Sequence, residues 1–449
     1  MAPAARGDRP HAPGRRALDA PAPHHPGPLP PSRPGDPPAG RRGRGSLPRR
    51  ECTVSATATS PTSPALFRQG LRPFFLLCAG WAVLAMALWL MALHRGDLPD
   101  GPLPGIRWHA HEMLAGVVGA ALSGFLLTAI PNWTGRPAYA GPPLMLLAAL
   151  FVAARLVLLP GSPVPVGLAA LIALLPLPAL LATVLPAVAR AGTPRLFGPP
   201  ALILVFWAGD VLMLGEAAGW WEGTFERGQL LALDIALVLV GLIGGRIIPT
   251  FTRNALRAAG REVAEPSLPG LDAAGVAALV AVAVVDLMAP GGRLAGAVAG
   301  VAAGLTLLRL ARWSGLRTLD QPILWVLHLA YLMVPVALAV KAASLLAGAG
   351  WAANWLHLQG IGAIALMILA VMPRATLGHT GHPLRASRAM RVAWVLLPLA
   401  AALRAFGPEL LPAALSYAAA GTLWMLAFAL FLGAHGPMLL RPRADGKPG

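Results

Sequence analysis

Charge is scarce in this sequence. Only 12% of its 449 residues are Asp, Glu, Lys or Arg, against roughly a quarter in an ordinary soluble domain. With 56% hydrophobic residues and a mean hydropathy of +0.64, that excludes a water-soluble globule and points to lipid as the solvent. Acidic residues are the scarcer kind, 19 against 36 basic, for a net charge of +17. Such a balance can signal nucleic acid. Here the basic residues lie mostly in the N-terminal tail and in short connections between apolar runs. In a membrane protein those are topology signals, so no nucleic-acid partner is expected. Cysteine is almost absent: Cys52 and Cys78 make no CxxC pattern, which leaves the redox compartment undefined. No segment alternates with period two, which excludes a membrane β-barrel. No apolar stretch precedes a cleavage site near the N-terminus, so a signal peptide is not expected.

What the sequence does have comes in two parts. Residues 1–65 are rich in Pro, Arg, Gly and Ala and lack aliphatic runs. They cannot bury enough apolar surface to offset ordering entropy, so they read as a disordered basic tail or as the product of a start codon placed too early. Residues 66–440 read as a transmembrane domain, and 441–449 as a short cytoplasmic tail. The apolar runs fall at 74–93, 109–130, 142–159, 166–189, 197–218, 229–250, 269–289, 294–311, 321–346, 354–374, 390–406 and 412–434. Most approach the ~20 residues a crossing needs, and backbone in lipid must satisfy itself within the segment. The expected fold is therefore all-α, a polytopic bundle of about twelve helices. With the N-terminus inside, eighteen Lys and Arg fall on the inner side. The outer side holds only Arg95, Arg107, Arg227, Arg293, Lys341 and Arg404. The positive-inside rule then predicts both termini in the cytoplasm.

Ionisable groups in or beside a span need a partner or a function. His109, His111 and Glu112 form Trp-His-Ala-His-Glu-Met at the outer start of the second span. Residues two apart on a helix point about 200° away from each other, so His109 and His111 cannot both ligate one metal from a regular helix. His357 starts the tenth span, also on the outer side. His328 lies in the ninth span near its inner end, and His379 and His382 in the inner connection after the tenth. Each histidine alone reads as a packing partner. Together, among so few polar residues, they point to a metal or cofactor, and imidazole suits both haem iron and copper. Arg155, Asp210 and Asp234 lie within spans. They either pair with one another, or Arg155 meets an anionic ligand such as a haem propionate. Arg246 reads as a headgroup anchor near the inner end of the sixth span. Asn132 and Trp133 read as an interfacial belt at a helix end set by Pro131. Gly116, Ala120 and Gly124 make a small-residue stripe that admits another helix or a flat ligand.

Four stretches, WHAHEM at 108–113, GFLLTAIPNWTG at 124–135, GGRIIPTFTRN at 244–254 and HLQGIGAIALMILAVMPRATLGHTG at 357–381, resemble the NnrS proteins. The resemblance covers roughly residues 66–440. It implies a bacterial inner-membrane protein containing haem and copper, linked to the nitric-oxide response and found near denitrification functions. By position it points to His109, His111, Glu112, Asn132, Trp133, Arg246, His357, Arg374 and His379, and His328 fits as well. The family continues LGHTG with Arg where this chain has His382.

The first expectation is therefore a haem- and copper-binding membrane protein that binds or helps detoxify nitric oxide. Its metal ligands would be drawn from His109, His111, His357, His328 and His379, with Arg246 and Arg374 beside the cofactor. Glu112, Asn132 and Trp133 would support them. His109, His111 and His357 would share one centre, and His328 and His379 would serve another. A secondary transporter is the first alternative, weakened by the lack of an internal repeat. A haem or copper delivery factor without turnover is the second.

Overall fold

Backbone polar groups in lipid have no water to bond, so each apolar run must close its hydrogen bonds internally. A computed structural model, which describes residues 63–97, 101–261 and 268–447, is built that way: its described residues form helices and no strand. The expected tail, residues 1–65, lies outside the described residues except for its last three. Twelve helices follow: α1 Leu71–Arg95, α2 Gly105–Thr134, α3 Pro142–Val157, α4 Val166–Ala191, α5 Pro194–Ala217, α6 Phe225–Ala258, α7 Gly270–Met288, α8 Arg293–Ala311, α9 Pro322–Ala347, α10 Gly350–His379, α11 Arg388–Glu409 and α12 Ala413–Leu440. Eleven of these, among the described residues, are long and apolar enough to cross a membrane. The exception is α3, with 16 residues. It stops before 159 because Pro160, Pro163 and Pro165 follow it, and proline cannot continue a helix.

Even so, α3 runs from one end of the bundle to the other. Gly141, before its first turn, donates to the Phe67 carbonyl at the start of α1 (2.8 Å). Arg155, in its last turn, reaches Glu112 near the start of α2. We call the end holding the starts of α2, α6 and α10 the upper end and the opposite one the lower end. In the charge-based topology the upper end is the outer one.

Several expected boundaries move toward the lower end. Pro131 does not stop α2; it lies inside the helix, which closes at Gly135 in the left-handed conformation (φ 66°). α6 runs to Ala258, so Arg253 and Arg257 sit on its last turns rather than in a connection, and Arg246 lies well before its end. α10 runs to His379, which is therefore helical. Lys341, counted on the outer side, is inside α9 and fully buried. Hydropathy marks where a chain becomes polar, whereas a helix ends where its backbone is capped.

The centre of the bundle is α2, α6 and α10. Their apolar windows are 78%, 72% and 72% buried; α9 follows at 61%, and the remaining long helices reach 28–44%. Each central helix carries a π-helical stretch: Glu112–Val118, Val240–Gly244 and Leu358–Ala365. A π turn accommodates an extra residue and disturbs the regular ladder. In α6 the Gly241 carbonyl is taken by Arg309 of α8 (Nη1 to O 2.7 Å). Arg309 also donates to Asp272 of α7 (2.6 Å) and to the Tyr331 hydroxyl of α9 (3.1 Å), and lies over the Trp313 ring. One side chain thus ties four helices together. The small-residue stripe on α2 admits α1: a Cβ on Gly124 would lie 2.9 Å from the Phe75 ring, and one on Gly116 2.5 Å from the Trp81 ring.

At the lower end cations meet helix C-termini, where unpaired carbonyls accumulate negative charge. Arg72 donates to the Leu439 and Arg441 carbonyls that close α12 (3.0 and 2.6 Å). Arg443 donates to the His379 carbonyl that closes α10 (2.7 Å). Beyond α12, hydrogen bonds from Arg443 hold the Asp445 carboxyl down at about 2.

Candidate functional site

The two histidines of Trp-His-Ala-His-Glu-Met part company, as two-residue spacing requires. His111 faces inward and is fully buried. Its Nδ1 lies 2.9 Å from Glu112 Oε1 and its Nε2 2.7 Å from Asp210 Oδ1 of α5. Carboxylates only accept, so with both acids ionised the ring donates from both nitrogens, as an imidazolium does. Glu112 is also bound by Arg155 Nη1 through both oxygens (2.9 and 2.8 Å) and by Trp81 Nε1 (2.7 Å). Two cations face two anions, and helices α1, α2, α3 and α5 are joined. Arg155 thus pairs with a glutamate, not with an aspartate or a free ligand. His111 has no ring nitrogen to spare while these bonds stand.

His109 turns the other way. Its ring stacks on Trp89 of α1 at 4.6 Å between centroids and 14° between planes. Its Nδ1 is shut from solvent and has no hydrogen-bond partner. The Nδ1 of His357, at the start of α10, is in the same state. His109 bears electrostatically on His357, and Arg404 of α11 bears on both. Arg404 is held by Asn354 Oδ1 (3.1 Å) and by the face of Tyr417 (4.1 Å). Among the described residues no carboxylate pairs with it. α2, α10 and α11 thus bring two imidazoles and one guanidinium to one place at the upper end.

The other expected site residues lie elsewhere. His328 accepts or donates a hydrogen bond with Thr252 Oγ1 at the lower end of α6 (2.8 Å) and packs against Trp313, and its Nδ1 has no partner. His379 is roughly 30 Å down α10 from His357, at about 1.5 Å per residue. Arg374 lies 4.0 Å over the Phe251 ring, and Arg246 is exposed on α6. Asn132 and Trp133 are exposed at the lower end of α2, where Trp133 packs edge-on against Phe125. They stand at the opposite end of the helix from Glu112.

A cavity of about 90 Å³ lies deeper, where α1, α2, α6 and α10 meet. Phe75, Phe125, Val240, Gly244, Ile364 and Met367 line it, all apolar, and no histidine does. It borders the π stretches of all three central helices. It is well below the ~300 Å³ where pockets for larger ligands begin, though ample for water-sized molecules.

Arg404 and Trp89 were not singled out by the sequence reading. Arg404 did leave a signal, as one of very few basic residues on a side nearly free of them. Asp286 and Lys341 were missed as a pair; Lys341 forms a buried ion pair with Asp286 of α7.

The residues at His109 and His357 suit one kind of metal group better than another. Among the described residues no group of three or more His, Cys, Asp or Glu side chains is placed to hold a metal ion. A bare ion bound only by the protein thus lacks its usual donor set. Haem brings four of its own nitrogens and asks the protein for one or two more ligands; His109 and His357 each offer an imidazole whose Nδ1 has no side-chain partner. No curated protein matches the chain. A model of the family described as NnrS protein matches residues 65–443.

Proposed function

We propose, for a chain that belongs to the NnrS family, that the upper end of the bundle binds haem between His109 and His357. The observation that carries this is the pair of buried imidazole Nδ1 atoms, on two helices, with no hydrogen-bond partner. A buried polar atom left unpaired costs about 1–3 kcal/mol, and a ligand that takes it up recovers that cost. Trp89 fixes the plane of the His109 ring by stacking. Arg404, with no carboxylate partner among the described residues, would supply the positive charge that a propionate needs. Glu112, through His111 and Arg155, holds the start of α2 in register without touching the group. When bound, haem would supply an iron that takes up nitric oxide, a small apolar molecule that the bilayer itself admits, with one of the two imidazoles yielding its place.

The family resemblance also implies copper, a place in the bacterial inner membrane and a part in the nitrosative-stress response. These belong to the same proposal. For copper the described residues offer no three-donor set, so no step is assigned to it. Binding suffices for this reading; turnover is not part of it.

The test is the visible spectrum of the full-length protein purified from haem-replete cells, with metal analysis. A Soret band that shifts on adding nitric oxide is expected. His109→Ala and His357→Ala should each abolish or displace it while helicity by circular dichroism is unchanged. Arg404→Gln should lower haem affinity tenfold or more, about 1.5 kcal/mol, the scale of a hydrogen bond to a charged group. A colourless protein that stays colourless after incubation with haemin would overturn the reading and favour a transporter. Haem that passes readily to an apo-acceptor would favour a delivery factor.

A further inference from the structure

Away from the two imidazoles, α6, α7 and α9 place three ionisable groups together in the apolar interior. Asp234 of α6 and Asp286 of α7 are each 1% exposed, and Lys341 of α9 is fully buried. The Lys341 ammonium is paired with Asp286 Oδ2, and lies 4.4 Å over the Trp355 ring at the start of α10. The Asp234 carboxyl comes within hydrogen-bonding reach of Asp286. Among the described residues no donor group reaches either of its oxygens.

The charges do not balance as drawn. Two carboxylates and one ammonium leave one negative charge inside the membrane, on a carboxylate that accepts nothing. An uncompensated ion there is among the most costly things a membrane protein can hold. Two acids in contact avoid that cost by sharing one proton. A protonated Asp234 would become a donor, its contact with Asp286 a hydrogen bond, and the triad neutral.

The neighbouring helices offer no other partner. On α5, Asp210 is bound to His111 and Glu216 to Arg107. On α2, His111 and Glu112 are engaged with each other and with Arg155. On α8, Arg309 is bound to Asp272 near the start of α7, the other end of that helix from Asp286, and Arg293, at the upper start of α8, is exposed. On α10, Trp355 faces Lys341 and carries no charge. His357, two residues on, faces His109 and Arg404. A metal ion is a poorer occupant than a proton, because Lys341 already holds the position a cation would take and only two carboxylates are present.

We propose that Asp234, Asp286 and Lys341 form a binding site for one exchangeable proton within the membrane domain, independent of any haem. Asp286 lies two residues from the upper end of α7, so exchange is expected with the upper face. Binding closes a carboxylic acid to carboxylate hydrogen bond; release leaves two carboxylates facing one ammonium and loosens the contact between α6 and α7.

Infrared spectroscopy of the full-length protein in lipid vesicles tests this. At neutral pH the spectrum should contain the carbonyl stretch of a protonated carboxylic acid, which shifts when water is replaced by deuterium oxide. Asp234→Asn should remove that band and keep the thermal midpoint, because an amide imitates the protonated acid. Asp286→Asn should remove it too, since Asp234 then takes over Lys341 as a plain ion pair. Asp234→Asn should also flatten the fall in thermal midpoint that the parent shows once alkaline pH strips the proton. No such band in the parent, or a band that survives both substitutions, overturns the proposal. If one variant does not fold, the other decides by the same band. The histidine variants that lose haem should keep the band, so failure of the haem reading is seen separately.

Discussion

Arg155 and Arg107 both pair with a glutamate near the upper end, and removal of each should have very different consequences. Arg155 is 3% exposed and faces the fully buried Glu112. Arg107 and Glu216 have side chains 43% and 14% exposed. Breaking a buried pair strands a charge and costs about 3–5 kcal/mol, whereas an exposed pair contributes about 0–1 kcal/mol. Arg155→Met should therefore lower the thermal midpoint in detergent sharply or prevent folding, and Arg107→Met should scarcely move it. Equal effects would mean that the buried network is not what holds α3 to α2. The sequence made one part of this network legible. Two-residue spacing separated His109 from His111, and the structure sends them to different surroundings. It could not say which was which, because the deciding partners, Trp89, Asp210 and Arg155, are up to a hundred residues away. The Asp286–Lys341 pair was hidden for the same reason, and because a lysine near a helix end reads as a topology signal.

At the scale of the element, the apolar runs revealed every helix because lipid leaves the backbone no alternative. They did not reveal the π stretches, and in α6 that stretch lies where a neighbour donates to a displaced backbone carbonyl. Arg309 is that neighbour for α6. Its loss should thus act on α6 rather than on α8, where it resides. Arg309→Met should increase amide hydrogen exchange around Gly241 by tenfold or more, about 1.4 kcal/mol of local opening, as read by mass spectrometry. Gly245→Ala should have a related effect, since a Cβ there would press into the Arg309 guanidinium. Uniformly increased exchange across the bundle would indicate global destabilisation and would speak against a local role for Arg309.

At the scale of the whole molecule, basic side chains cluster at the lower end, where Arg72 and Arg443 close α12 and α10. Acidic Glu222 and Glu226 lie in and just after the α5–α6 connection at the upper end. If the positive-inside rule governs insertion, reporter fusions after Arg190 should read as cytoplasmic and fusions near Glu222 as external. The reverse pattern would invert the molecule and put the imidazole pair on the cytoplasmic face.

The shortest helix sets a condition on the bilayer around it. α3 spans about 24 Å at 1.5 Å per residue, against a hydrocarbon core of about 30 Å. It presents Leu146, Val152 and Leu156 outward, so that flank is covered by acyl chains rather than by another helix of this chain. Hydrophobic mismatch must then be relieved in the lipid, by local thinning on one side of the bundle while the longer helices elsewhere hold the usual thickness. The protein should carry a dimple in its annular lipid along α3 and should partition toward shorter-chain phospholipids when offered a mixture.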